Sequence, residues 1–169
     1  MRVPGVHGLH RRWNLFIVNR LLSGTRFFGL KRRLLNGIGN QIGEGTRVVG
    51  PIFCSAKLIV GENCWIGRQF AAEGNGMVTI GDNCDIAPQV TMLTGGHLIG
   101  DADRRAGEGQ TYTITVGNGT WIGARATLVG GVTVGNSCVV AACACVTKDL
   151  GDNVVMGGVP AKVIRELDT

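Results

Sequence analysis

The chain has 169 residues, of which 28 are glycine, 5% are aromatic and 17% are charged. That length supports one domain with a real core, but the aromatic content is too low for an interior built on large side chains, and four prolines with moderate charge argue against disorder. The formal net charge of +5 is unevenly placed: residues 1–35 hold eight basic residues and no acidic one, and all 12 acidic residues follow. With no recognition motif or aromatic stacking platform beside it, this asymmetry gives no reason to expect a nucleic-acid partner.

Residues 1–37 read as a basic amphipathic arm. From His10 the segment runs HRRWNLFIVNRLLSGTRFFGLKRRLL, in which Trp13, Phe16, Ile17, Leu21 and later Phe27, Leu30 and Leu34 return at roughly helical spacing. Ser23-Gly24 predicts a break between two short helices. Two roles fit the arm: a cap over the open end of whatever follows, or an interfacial helix with Trp and Phe at the headgroups and Arg beside anionic lipid. No apolar stretch has the length and cleavage site of a secretory signal, and Leu15–Val18 is far too short to span a bilayer. The expected location is the cytoplasm, with peripheral contact at the inner membrane face as the further option.

Residues 38–169 read as a repeat. One aliphatic series runs Ile42, Val48, Cys54, Val60, Ile66, Ala72, Val78, with Gly43, Gly61 and Gly67 following three of its members. The phase then slips by two near Glu73-Gly74-Asn75-Gly76, which implies a bulge or small loop, and resumes as Ile80, Ile86, Met92, Leu98. Residues 99–112 carry charge and glycine without an inward aliphatic series and read as a loop extruded from the repeat; such loops are usually functional. From Val116 to Val146 the six-residue period is strict: Val116, Ile122, Leu128, Val134, Val140, Val146, with Gly117, Gly123 and Gly135 after three of them. Neither a helical period nor plain strand alternation produces this, whereas a solenoid whose units bury their apolar faces on one another does.

The six cysteines, Cys54, Cys64, Cys84, Cys138, Cys143 and Cys145, mostly occupy aliphatic or small-residue slots of the repeat and read as small buried hydrophobes in a reducing compartment. Cys143-x-Cys145 lacks a histidine or a second pair at zinc spacing, so no metal is expected. His97 is the one histidine in the repeat; His7 and His10 belong to the arm. Imidazole is the natural proton acceptor for a hydroxyl or amine near neutral pH.

These hexads, the turn Thr94-Gly95-Gly96-His97 just before the extruded loop, Ala87-Pro88 upstream of it, and the terminal Gly157–Arg165 stretch GGVPAKVIR resemble the hexapeptide-repeat acyltransferases. Within that family the similarity is to the sugar and polysaccharide O-acetyltransferases of maltose/galactoside and colanic-acid type. The resemblance covers about residues 40–165. It implies an all-β, left-handed parallel β-helix with three hexads per triangular coil, a homotrimer with active sites between subunits, and O-acetylation of a saccharide hydroxyl with acetyl-CoA as co-substrate. It further implies direct transfer with His97 as general base and a backbone N–H at Ala124 for the oxyanion. Ala124, Ala142 and Thr147 would line the coenzyme groove. Lys148, Lys162 and Arg165 would meet its phosphates, each with a solvated surface charge as the plain alternative. Trp121 would line the site or else be an outward aromatic at the trimer contact. For the acceptor the polar candidates are Glu73 and Asn75; Asp82 and Asp85 are either orienting groups or ordinary corners.

Four rivals carry distinct requirements. Serine acetyltransferase chemistry normally comes with a much longer helical N-terminal domain. A nucleotide-sugar N-acetyltransferase would take an amine in place of a hydroxyl. A γ-class carbonic anhydrase shares the fold but needs three zinc histidines. A non-catalytic hexapeptide scaffold would need neither His97 beside a loop nor the terminal signature.

Overall fold

The computed structural model describes residues 8–168. Arg2 and His7 of the basic arm lie outside the described residues. The arm folds as α1 (Gly8–Phe16), a wider helical turn over Ile17–Leu21, and α2 (Phe28–Asn36), with the break at Ser23-Gly24 between them.

The repeat winds as a three-walled left-handed parallel β-helix. The first coil holds β1 (Gln41–Ile42), β2 (Arg47–Val48) and β3 (Phe53–Cys54). The second holds β4 (Lys57–Val60), β5 (Trp65–Ile66) and β6 (Ala71–Glu73), and the third β7 (Met77–Ile80), β8 (Asp85–Ile86) and β9 (Thr91–Leu93). A hairpin of β10 (Gly95–Ile99) and β11 (Ala106–Thr111) interrupts the winding. It resumes with β12 (Thr113–Val116), β13 (Trp121–Ile122) and β14 (Thr127–Val129), then β15 (Thr133–Val134), β16 (Val139–Val140) and β17 (Cys145–Val146). β18 (Val154–Gly158) and β19 (Ala161–Glu166) close the chain as an antiparallel pair on the second wall. Wall A is β1-β4-β7-β12-β15, wall B runs from β2 through β5, β8, β13 and β16 to β18 and β19, and wall C is β3-β6-β9-β14-β17.

The inward residue of each short strand is the aliphatic of its hexad. On wall B, Val48, Ile66, Ile86, Ile122, Val140 and Met156 stack in register and are essentially inaccessible to solvent. Burying each such side chain is worth about 1.5–3 kcal/mol, and because it touches only the coils above and below, stability accrues coil by coil. One inner corner carries Thr46, Cys64, Cys84, Thr120 and Cys138 in successive coils, all buried. Their hydroxyls and thiols donate to the carbonyls of Gly61, Gly81, Gly117, Gly135 and Gly151 at 2.7–3.1 Å. These cysteines are thus small polar fillers. At Cys54 burial pushes the thiol up to about 12, with Glu73 adding to the rise and Arg11 opposing it, so it is a neutral thiol in the core. Gly123 is required by close approach: a Cβ there would stand 2.6 Å from the Ala142 nitrogen in the next coil.

Val116 returns in the phase of Ile80 and is its direct neighbour on wall A, because the 36-residue spacing is one ordinary coil plus an insertion of equal length. Leu98, expected as an inward aliphatic, stands half exposed on the hairpin. The extruded segment itself begins earlier than residue 99 and is an ordered antiparallel hairpin.

The arm docks on the first coil through an unexpected face. Val18 and Leu35 are fully buried, Asn14 donates to the Leu34 carbonyl at 2.9 Å, and the Asn19 amide exchanges two hydrogen bonds with the Ile52 backbone at 2.8 and 2.9 Å. Lys31 is also buried: its ammonium donates to the Gly24 carbonyl at 2.6 Å and lies 4.6 Å from the Phe28 ring centre, and burial lowers its pKa. The apolar stripe identified in the sequence is divided: Leu34 packs against the core and Ile17 is half-buried, whereas Trp13, Phe16, Leu21, Phe27 and Leu30 are between 46% and 68% exposed. Among the described residues, no helix is long and apolar enough to cross a membrane.

Candidate active site

His97 lies on β10, where the chain leaves the corner between walls C and A. Its imidazole is exposed, and its cross-strand partner is Gly109, so no side chain stands opposite the ring. The Nδ1 atom is 2.9 Å from the Gly107 carbonyl oxygen. A carbonyl only accepts, so Nδ1 carries the proton of the neutral ring, and the lone pair is on Nε2, available to a ligand.

The base of the hairpin is tied to the second coil. The buried Thr94 hydroxyl donates to the Glu73 carbonyl at 2.9 Å and accepts from the Gly76 N–H at 3.1 Å. Glu73 and Asn75 therefore share the corner from which the histidine strand emerges. The Glu73 carboxylate accepts from the Ser55 hydroxyl at 2.5 Å, and Asn75 is exposed on the bulge where the repeat changes phase. Thr147 and Lys148, both exposed, follow β17 at this same corner two coils on.

The other candidates lie elsewhere in the chain. Trp121 projects from wall B at 55% exposure. Ala124 and Ala142 turn the corner between walls B and C in consecutive coils, with the Cys143 N–H donating to the Ala124 carbonyl at 2.9 Å. The N–H groups flanking Ala124 are taken: Gly123 donates to Val140 and Arg125 to Pro88, whereas among the described residues the Ala124 N–H has no backbone acceptor. The Arg125 guanidinium beside it is held by the Gln89 side chain at 2.8 Å. Lys162 and Arg165, exposed on β19, sit at the last edge of wall B. One chain thus splits the candidates between two corners: His97, Glu73, Asn75, Thr147 and Lys148 at one, and Trp121, Ala124 and Ala142 about the other.

Gly107 contributes a backbone carbonyl, which has no residue signature, and neither Trp65 nor Asp85 belongs to a motif that marks a role. Trp65, Asp85 and Trp121 each precede a core isoleucine of wall B, a pattern that hexad counting contains. Among the described residues, no three His, Cys, Asp or Glu side chains are grouped to hold a metal ion.

Comparison with known proteins gives a consistent picture. The bacterial transferase hexapeptide (six repeats) model matches residues 113–148, and the hexapeptide repeat of succinyl-transferase model matches residues 57–87. The chain is 42% identical over 144 residues to galactoside O-acetyltransferase of Escherichia coli (strain K12), covering 82% of this chain and 69% of that protein. It is 33% identical over 136 residues to the putative colanic acid biosynthesis acetyltransferase WcaF of the same organism, covering 79% and 72%. A solved galactoside acetyltransferase in complex with coenzyme A has a TM-score of 0.82 at 32% identity, over 95% of this chain and 80% of that one. A maltose O-acetyltransferase from Clostridium difficile 630 has a TM-score of 0.78 at 26% identity, over 96% and 90%.

Proposed function

This chain belongs to the hexapeptide-repeat acetyltransferases, and from that membership we propose that it transfers the acetyl group of acetyl-CoA to a hydroxyl of a sugar or polysaccharide precursor. The observation that carries the mechanism is the imidazole anchored through Nδ1 to Gly107, with Nε2 open to an acceptor. His97 takes the acceptor hydroxyl proton on Nε2 as the oxygen attacks the thioester carbonyl carbon. The Ala124 N–H donates to the oxyanion of the tetrahedral intermediate. The intermediate then expels the coenzyme thiolate, and the imidazolium returns its proton to that sulfur. No protein nucleophile is involved, so none of the cysteines is acylated.

A histidine at one corner and an oxyanion donor at another meet across a contact between copies. A homotrimer with three equivalent clefts supplies that contact and closes on itself. Thr147 and Lys148 of this chain, with Ala124, Ala142, Trp121, Lys162 and Arg165, line the coenzyme path; Glu73 and Asn75 face the acceptor. Thiol release from acetyl-CoA in the presence of galactosides, maltose and methyl glycosides tests the proposal, and a complete absence of sugar-dependent release contradicts it. Lys148→Ala is expected to raise the KM for acetyl-CoA about tenfold, the effect of losing one charge-assisted bond, with kcat little changed; an unaltered KM makes Lys148 a solvated charge.

The enzyme works in the cytoplasm, a reading supported by six cysteines that are all free thiols. The exposed Trp13–Phe16 pair, stacked at 5.9 Å, with Arg12 and Arg20 nearby in the helix, supports peripheral binding to an anionic membrane surface. Co-sedimentation with phosphatidylglycerol vesicles that falls on Trp13→Ala and Phe16→Ala is the expected result; equal pelleting of the variants contradicts the membrane role.

A further inference from the structure

Beside Trp121, wall B carries two side chains, Trp65 and Asp85, that neither the base nor the coenzyme path requires. On its outer face Trp65 pairs in register with Asp85, and Asp85 with Trp121. Strand spacing sets the carboxylate one strand from each tryptophan, and the two tryptophans about 10 Å apart at the backbone. The three side chains, with Ile86, Ala87 and Pro88, line a slot of about 290 Å³. Phe28 of α2 meets the Trp65 ring edge-on at 6.0 Å and holds that wall of the slot in place. Asp85 itself is exposed, so its carboxylate is available to a ligand.

We infer that this slot is the wall B side of the acceptor site, opposite the Glu73 and Asn75 corner of a neighbouring copy, and that it takes one neutral hexopyranose ring, stacked by its C–H face on an indole with adjacent hydroxyls donating to Asp85. Aromatic faces flanking one convergent polar group suit a ring that is apolar on its face and polar around its edge. Hydroxyl-to-carboxylate bonds are charge-assisted and directional, which selects hydroxyl geometry. The same carboxylate repels phosphate, so it turns away the charged end of a coenzyme. Trp121 thereby bounds the slot on the side of the Ala124 corner and contributes to both ligands. The inference rests on the sugar-acetylating reading and adds to it the residues that recognise the ring.

Saturation-transfer NMR with methyl β-galactopyranoside and methyl β-glucopyranoside on the full chain reads sugar contact without turnover. Wild type is expected to show transfer to the ring protons, and Asp85→Asn and Trp65→Leu to weaken sugar binding about tenfold or more. In steady state the same variants are expected to raise the KM for the sugar by a similar factor and to change the KM for acetyl-CoA less than twofold. Sugar contact that survives both substitutions, or no sugar contact in wild type, overturns the assignment, whatever the outcome for acetyl transfer. A rise confined to the KM for acetyl-CoA also overturns it, giving the slot to the coenzyme while acetyl transfer stands. Loss of sugar-dependent thiol release in wild type with sugar contact retained removes the transfer reading and leaves the sugar site.

Discussion

His97→Ala is expected to lower kcat by about 10²–10⁴-fold, the usual worth of a positioned general base, while the KM values for acetyl-CoA and sugar stay within about threefold. The expectation follows from where the ring is and what holds it. His97 stands exposed on a hairpin strand opposite a glycine, so its removal leaves no cavity in the coil and no buried group unpaired. Its one anchored atom, Nδ1, is spent on the Gly107 carbonyl, which leaves Nε2 for the chemistry. His97→Gln keeps an amide donor for Gly107 but offers no basic nitrogen, so it is expected to be as slow as alanine. Turnover in the alanine variant near that of wild type assigns the base elsewhere.

Ile122→Ala is expected to destabilise the fold by about 2–5 kcal/mol, the range for removing a large aliphatic from a core that relaxes only in part. Ile122 is fully buried in the middle of wall B, in register with Ile86 on one side and Val140 on the other. In a coil the residues above and below are its structural neighbours, so the void cannot be filled from a distant part of a shared interior. The substitution also loosens the strand that leads into Gly123 and Ala124, so residual folded protein is expected to turn over more slowly. Urea unfolding followed by far-UV circular dichroism checks the first expectation; a loss below about 1 kcal/mol contradicts it.

The coil was legible because its signal is redundant. Every wall repeats the same requirement for a small inward aliphatic, so Val116–Val146 alone carries the period, and the cysteine and threonine slots follow from it. Phase was harder. The insertion between β9 and β12 keeps the six-residue count for its first few residues, so Leu98 counts as core and the extruded loop is read as starting at residue 99 when it starts at Gly95. The arm's position over the first coil fits the cap expected of it, but the contacts that hold it there are not legible in the periodicity. It docks through Val18, Leu35 and the Asn19 amide, while Asn14 and Lys31 are buried against carbonyls within the arm itself, and helical periodicity marks a stripe most of which here faces outward. At the site, His97 was visible by its isolation and its place before the loop. The Gly107 carbonyl and the Ala124 N–H were not visible as such, because backbone groups leave no trace in residue identity. Trp65 and Asp85 occupy outward positions that the hexad leaves free, so only their alignment across coils reveals them.

In the proposed trimer one chain's imidazole works against the Ala142 corner of another chain. Co-express His97→Ala and Ala142→Trp chains carrying different tags, purify trimers through both tags, and measure sugar-dependent thiol release. Each mixed trimer, whether two-to-one or one-to-two, contains one cleft with both an intact histidine and an intact wall, so about one third of wild-type turnover is expected where each variant alone is nearly inactive. Mixed trimers no more active than the separate variants place the whole site within a single chain and contradict the account.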